Sequence, residues 1–277
     1  MYNESMKKFI IFVCLLLTFS LFGGCQKSEN NLELPPVVDS IPDVNTPENE
    51  DAENSPETEM PDDEQEKKKR LYAVSSVSSL RVRSLPNSNS KVVGYLDKND
   101  AVLIMESDGE YFKTVYKEKT AYVYAPYCKV MEIYAENQSV EDAIDLGSAL
   151  LGYPYVWGSQ RYHWGNGKLN KNFVDGEFDC SALVQYVYYL SNGVILDVTT
   201  RTQVFNGETV ERENLRRGDL MFFTNASRQN KTGVERIGHV GIYFGNNYIL
   251  HTATDHAVIE PISSTRWGYY ITARRVV

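Results

Sequence analysis

Between residues 26 and 70 the chain carries six prolines, 14 acidic and 5 basic residues, and neither an aromatic residue nor a glycine. Such a segment cannot bury enough apolar surface to offset the entropy of ordering it, and it is expected to be disordered. One continuous fold over the 277 residues is thereby excluded. At roughly 150 residues per domain, the remainder has room for two folded units. The segment's balance of −9 equals the formal charge of the whole chain, so the part that follows is nearly neutral. A nucleic-acid partner is not expected, because its affinity would need clustered Lys and Arg set against phosphate. As a tether, these 45 residues span about 35 to 40 Å as a flexible coil and about 150 Å at full stretch, with charge and proline favouring extension.

Ahead of the tether, Lys7 and Lys8 precede an apolar run over residues 9–22, closed by Gly23, Gly24 and Cys25. The run is short for a bilayer span and suits the apolar region of a secretion signal. The pattern resembles the lipobox of bacterial lipoproteins, with Phe22 standing where an aliphatic residue is usual. The resemblance implies that residues 1–25 end at a lipidated Cys25, and that the protein is extracytoplasmic and anchored to the bacterial cell membrane. Cys14 would leave with the signal. Cys128 and Cys180 remain, either as a disulfide suited to an oxidising compartment or as free thiols.

Residues 71–133 change to short alternating segments, LRVRS, VVGYL, AVLIM, YFKTVY and TAYVY, separated by polar turns that include Lys117-Glu118-Lys119. This texture predicts a small all-β barrel or sandwich. SLRVRSLPN, KVVGYL and TAYVYAPYCKV resemble the bacterial SH3-like domains of wall-associated proteins, with Leu85 where that family often has Gly. Such a barrel either binds a wall ligand or serves as a spacer, since fold alone assigns neither.

From Ser139 onward the pattern is mixed. Ser139 followed by Asp142 predicts a helix start, with Val140, Ile144, Gly147 and Leu151 on one face. Asp179 is a good N-cap for a second helix headed by Cys180, with Leu183, Val184, Val187 and Leu190 along its apolar stripe. A cysteine on such a stripe is commonly an inert hydrophobe, whereas at a helix tip the unpaired N–H groups and the dipole favour a thiolate. His239 to Phe244 alternates as a strand, and a three-residue loop centred on Asn246 would pair residues whose numbers sum to 492. His239 and His251 then share one face as diagonal neighbours, while Val240, Ile242, Phe244 and Leu250 face the core. A two-residue loop would put the histidines on opposite faces. A cysteine and two such histidines are the parts of a nucleophile, base and orienter set. A metal site from the three is not expected, since they lack the paired short-range ligands of common zinc sites.

Tyr155-Val156-Trp157-Gly158, FDCSALVQYVY, LRRGDLMFF and HVGIYFGNNYILHTA, in this order, resemble the NlpC family of papain-like cell-wall endopeptidases. The likeness covers residues 140–277, within a domain read as 139–277. It implies an α+β catalytic domain, a helix-tip cysteine packed on an antiparallel sheet, preceded by the SH3-like barrel. It implies Cys180 as nucleophile, His239 as base, His251 as third polar residue, and Tyr155, Asp179 and Ser181 along the substrate cleft. No cofactor is implied. The family's substrates are peptidoglycan stem peptides or muropeptides, commonly cut after the γ-linked D-glutamyl residue, here by a monomer. The expected resting pair is a Cys180 thiolate beside a protonated His239. Ser159 and Ala182 stand where the family has Gly, and residues 160–177, with Arg161, Tyr162, His163 and Trp164, form a long insertion that borders or covers the cleft or is a mobile surface loop. The alternatives are an inactive wall-binding lipoprotein, or an amidase or acyltransferase using the same pair.

Overall fold

The computed structural model describes residues 68–252 and 255–277. The expected signal sequence with Cys25, and the expected tether up to residue 67, lie outside the described residues. None of the described helices is long and apolar enough to cross a membrane.

Eight short strands build the first unit: β1 (Lys69–Ser75), β2 (Leu80–Arg83), β3 (Val92–Leu96), β4 (Ala101–Leu103), β5 (Glu106–Asp108), β6 (Tyr111–Tyr116), β7 (Lys119–Tyr124) and β8 (Cys128–Tyr134). They form two antiparallel sheets, β4-β1-β8 and β3-β2-β7-β6-β5, closed around Tyr72, Val82, Val102, Ala121 and Val123. Strand β1 begins at Lys69, inside the stretch expected to be disordered, and pairs Lys69 with Tyr134 and Arg70 with Ile133. Arg70 tolerates this place because its guanidinium meets the carboxylates of Asp145 and Glu141.

Helix α1 (Gln138–Ala149) starts one residue before the expected Ser139. Its cap is Asn137, whose side chain accepts from the Val140 N–H at 3.0 Å, so Ser139 falls within the first turn. Helix α2 (Cys180–Asn192) follows the insertion, and a single turn, α3 (Thr200–Gln203), comes after it. The six-stranded sheet runs β13-β12-β11-β10-β14-β9, from β9 (Glu208–Val210), β10 (Leu220–Phe223), β11 (His239–Gly245), β12 (Tyr248–Thr252), β13 (Ala257–Pro261) and β14 (Tyr270–Arg275). A last short helix, α4 (Ser264–Gly268), lies between β13 and β14. One side of the sheet shares a core with Ile144 of α1 and Leu183, Val184 and Val187 of α2, through Phe222, Val240, Ile242, Phe244 and Leu250. The opposite side carries a smaller cluster of Met221, Phe223, Ile249 and Ile262. Strict alternation along β10 and β11 sends successive residues to opposite sides.

The barrel and this second unit share buried contacts. Arg217 donates to both oxygens of Glu141 on α1 at 2.8 and 3.1 Å, to the Tyr72 hydroxyl of β1 at 2.6 Å and to the Phe244 carbonyl of β11 at 2.6 Å. Lys117 and Glu118, at the β6–β7 turn, both have positive φ (52° and 56°). Their N–H groups donate to the Leu151 and Ala149 carbonyls at 3.0 and 2.7 Å, serving acceptors left open at the end of α1. Tyr116 lies beside that turn, where a Cβ on Gly152 would fall 2.1 Å from its ring.

Candidate active site

Asp179 caps α2: its Oδ1 accepts from the Ala182 N–H and from the Ser181 hydroxyl, each at 2.9 Å. Cys180, next in the chain, occupies the first helical position and is 8% exposed, and both Cys180 and Cys128 are free thiols. The disulfide alternative is therefore not what the structure has. Backbone N–H groups of Val240 and Ser181 point at the Cys180 sulfur. Val240 follows His239 on β11, so the nucleophile candidate lies against the strand that carries the base candidate.

The two histidines meet. His239 Nε2 and His251 Nδ1 are 2.9 Å apart. The turn that brings them together differs from expectation: Asn246 and Asn247 alone make it, both at positive φ (50° and 64°), as a two-residue hairpin prefers. A bulge between Tyr243 and Gly245 adds the missing residue, and the pairs Ile242↔Leu250 and Tyr243↔Ile249 keep the sum of 492. The histidines stay on one face because turn and bulge offset each other. Gly241 is required beside them, since a Cβ there would lie 2.9 Å from the His251 Cβ and 2.6 Å from Ile249 Cδ1.

Behind them stands a residue the sequence reading missed. His251 Nε2 lies 2.9 Å from Glu260 Oε1, which also accepts from Arg266 of α4 at 3.1 Å. On β13, Val258 pairs with His251 and Glu260 with Ile249, so Glu260 is a diagonal neighbour of His251. The signal was a carboxylate alternating within the apolar run AVIEP, readable only once the loop before β13 had fixed its register.

These contacts set the tautomers. Burial alone would raise the Glu260 carboxyl, and the hydrogen bond and charge of His251, with Arg266, outweigh it and hold it below the usual range. The carboxylate accepts a hydrogen bond from the Nε2–H of His251, leaving Nδ1 as an acceptor for the Nε2–H of His239. The Nδ1 of His239 is then unprotonated and has no hydrogen-bond donor among the described residues. His251 is fully buried, and burial lowers its ring below 6.5 despite Glu260. His239 keeps part of its surface open to solvent, yet burial, then His251 and Arg266, hold its ring well below 6.5. Burial, followed by the Asp179 carboxylate, pushes the Cys180 thiol up to about 11. In the free protein, burial thus disfavours the charged form of both the thiol and the imidazole.

Tyr155 is placed by backbone pairing: it bridges to Phe178, and the Val156 N–H donates to the Phe178 carbonyl at 3.0 Å. Its hydroxyl is raised first by burial and then by the neighbouring Cys180 and Asp179. Asp179 and Ser181, expected along the cleft, are 6% and 4% exposed, and their polar atoms engage one another and Arg161. The insertion that supplies Arg161 packs onto the domain through its side chains. Tyr162 packs edge-on against Phe173 and Tyr186, His163 is fully buried with Nδ1 accepting from the Gly165 N–H, and Trp164 is exposed.

The NlpC/P60 family profile matches residues 152–276, and a bacterial SH3 domain profile matches residues 78–129. Over 146 residues, the chain is 37% identical to the murein DD-endopeptidase MepS/murein LD-carboxypeptidase of Escherichia coli K12, spanning 51% of this chain and 69% of that protein. The chain belongs to the NlpC/P60 family. Its papain-like domain follows a bacterial SH3 barrel, the fold class expected from the sequence. Two further NlpC/P60 relatives are matched over less of their length. One is the peptidoglycan DL-endopeptidase CwlO of Bacillus licheniformis, 33% identical over 52% of this chain and 30% of that protein. The other is the γ-D-glutamyl-L-lysine dipeptidyl-peptidase of Bacillus cereus, 32% identical over 50% of this chain and 36% of that protein.

Proposed function

We propose that this NlpC/P60 protein is a cysteine peptidase of the bacterial cell wall that hydrolyses peptidoglycan stem peptides at the bond between γ-D-glutamate and the diamino acid. The observation that supports it most directly is the chain of contacts His239, His251 and Glu260 on the sheet against which the Cys180 helix tip packs. The names of the two Bacillus relatives point to the same type of bond, and that of the Escherichia coli relative to other bonds of the same polymer.

In this reading His239 Nδ1 takes the thiol proton as the sulfur attacks the γ-carbonyl, and passes it to the departing amine when the C–N bond breaks. Water, deprotonated by His239, then releases the glutamyl carboxylate and the free thiol. Such proton transfer is worth about 10² to 10⁴ in rate. The Cys180 backbone N–H and the Tyr155 hydroxyl would face the oxyanion, each such donor contributing about 3 to 4 kcal/mol. Lipidation of Cys25 would hold the enzyme on the outer side of the cell membrane, with the tether setting its reach.

Digestion of purified peptidoglycan and of soluble muropeptides, with mass spectrometry of the products, tests this. The expected product is a new α-amine on the diamino acid, absent with Cys180→Ala. A new amine only at the cross-link would move the reading to the bond named for the Escherichia coli relative, and no product at all would leave a passive wall-binding protein. Recovery of a Cys25→Ala protein in the membrane fraction would remove the anchor.

A further inference from the structure

Arg161 reaches four groups on three segments with one guanidinium. Its Nη2 donates to Asp179 Oδ2 at 3.0 Å and to Ser181 Oγ at 2.9 Å, while Nε and Nη1 donate to the Val198 and Ser159 carbonyls, each at 2.5 Å. The side chain is 15% exposed and its partner Asp179 9%. This pair lies beside the nucleophile candidate and is supplied by an insertion that the sequence motifs do not require.

The cap creates a conflict that the arginine answers. An aspartate is a strong N-cap because its carboxylate accepts a first-turn N–H, and the same negative charge opposes ionisation of a thiol one residue away. A neutral cap would avoid this. Here the cap stays acidic, and a planar, permanently charged fork lies against its second oxygen. The charged and titratable groups that act on the sulfur are Asp179 on its own helix, Arg161 from the insertion and the Tyr155 hydroxyl, and the strand packed against it carries His239 one residue before Val240. Arg161 is the cation among them.

Resting on the reading of Cys180 as nucleophile, we infer that Arg161 is a positioning residue: it fixes the Asp179 cap and cancels its charge, so that the Cys180 thiol can surrender its proton to His239. The insertion is thus part of the nucleophile's activation and is not an appendage to the cleft. A coulombic contribution of Arg161 in favour of the thiolate, opposite in sign to that of Asp179, agrees with this placement.

The test is the pH dependence of Cys180 alkylation by iodoacetamide, read by mass spectrometry of the peptide that contains Cys180, in the full chain carrying Cys128→Ser. Arg161→Ala should move the midpoint up by at least about half a pH unit, so that alkylation at a fixed pH below it slows about 3-fold. Asp179→Asn, which keeps a capping side chain, should move it down, and the double variant should return it to near the parent value. Arg161→Lys should fall between parent and Arg161→Ala. An unshifted midpoint in Arg161→Ala, or a double variant that stays as slow as Arg161→Ala, overturns the inference. If Arg161→Ala does not fold, Asp179→Asn decides: a midpoint that falls supports the inference, and one that stays or rises overturns it. Because alkylation needs no substrate, a failure of wall digestion with these shifts intact would reject the proposed substrate and leave this role standing.

Discussion

His251 stands between His239 and Glu260 with a 2.9 Å contact on each ring nitrogen, so one imidazole transmits the orientation of a carboxylate to another imidazole. Removal of that carboxylate should act at a distance. Glu260→Ala is expected to lower kcat about 10- to 100-fold with a smaller change in KM, by analogy with carboxylates that orient histidines at metal sites. Glu260→Gln, still able to accept from His251, should recover part of the loss. Steady-state kinetics on a soluble stem peptide decides it, and equal losses in the two variants would rule out the role.

His251→Asn should retain more activity than His239→Ala, because an amide can still accept from His239 while nothing replaces the base. Equal losses in kcat/KM would show that His251 does more than orient.

Burial raises the Cys180 thiol to about 11, so its alkylation in the free protein should climb steadily through pH 8 and 9 without a plateau at acidic pH. A plateau between about pH 4 and 7 in the rate profile would show a resting thiolate instead.

His163 and His251 are fully buried and both are lowered from 6.5 by burial. The unfolded chain binds protons at these sites before the folded one does. Their contribution to stability is therefore complete above about pH 6.5 and is lost as pH falls through the lower folded values, at up to about 1.4 kcal/mol per pH unit for each ring. Denaturant titrations at pH 7.5, 6 and 5 should show this fall, with a shallower slope in His251→Asn.

Arg217→Ala should destabilise the protein by about 3 to 5 kcal/mol, since it leaves Glu141 buried beside an unpaired Tyr72 hydroxyl. Differential scanning calorimetry should show one lowered transition for barrel and peptidase domain together. Two separate transitions in the parent protein would mean that the shared contacts do not couple their unfolding.

Much of the site was legible in the sequence because it rests on local rules. Asp179 before Cys180 is a cap and a first helical position, and the odd numbers of His239 and His251 settle their shared face for any pairing with an even sum. What escaped was set by competition or by distance. Asn137 displaced Ser139 as the cap of α1 because a better-placed acceptor stood two residues earlier. The two-residue Asn246-Asn247 turn reached the expected register only through a bulge that no short-range pattern announces. Glu260 comes from a segment whose approach to the site depends on a loop, and the contact of Arg161 with the Asp179 cap depends on the path of an insertion with no periodicity. Desolvation of the thiol is likewise set by the packed structure, whereas a helix tip is visible in sequence.

Tyr116 and Gly152 belong to different domains, yet neither tolerates much change without the other. Chimeras that trade this barrel for one from a relative should fail unless the ring and the bare backbone it covers travel together. Over evolutionary time the two modules would then be inherited as a single cassette, and the barrel, whether it binds or only spaces, would be constrained by the same lineage that shapes the cleft.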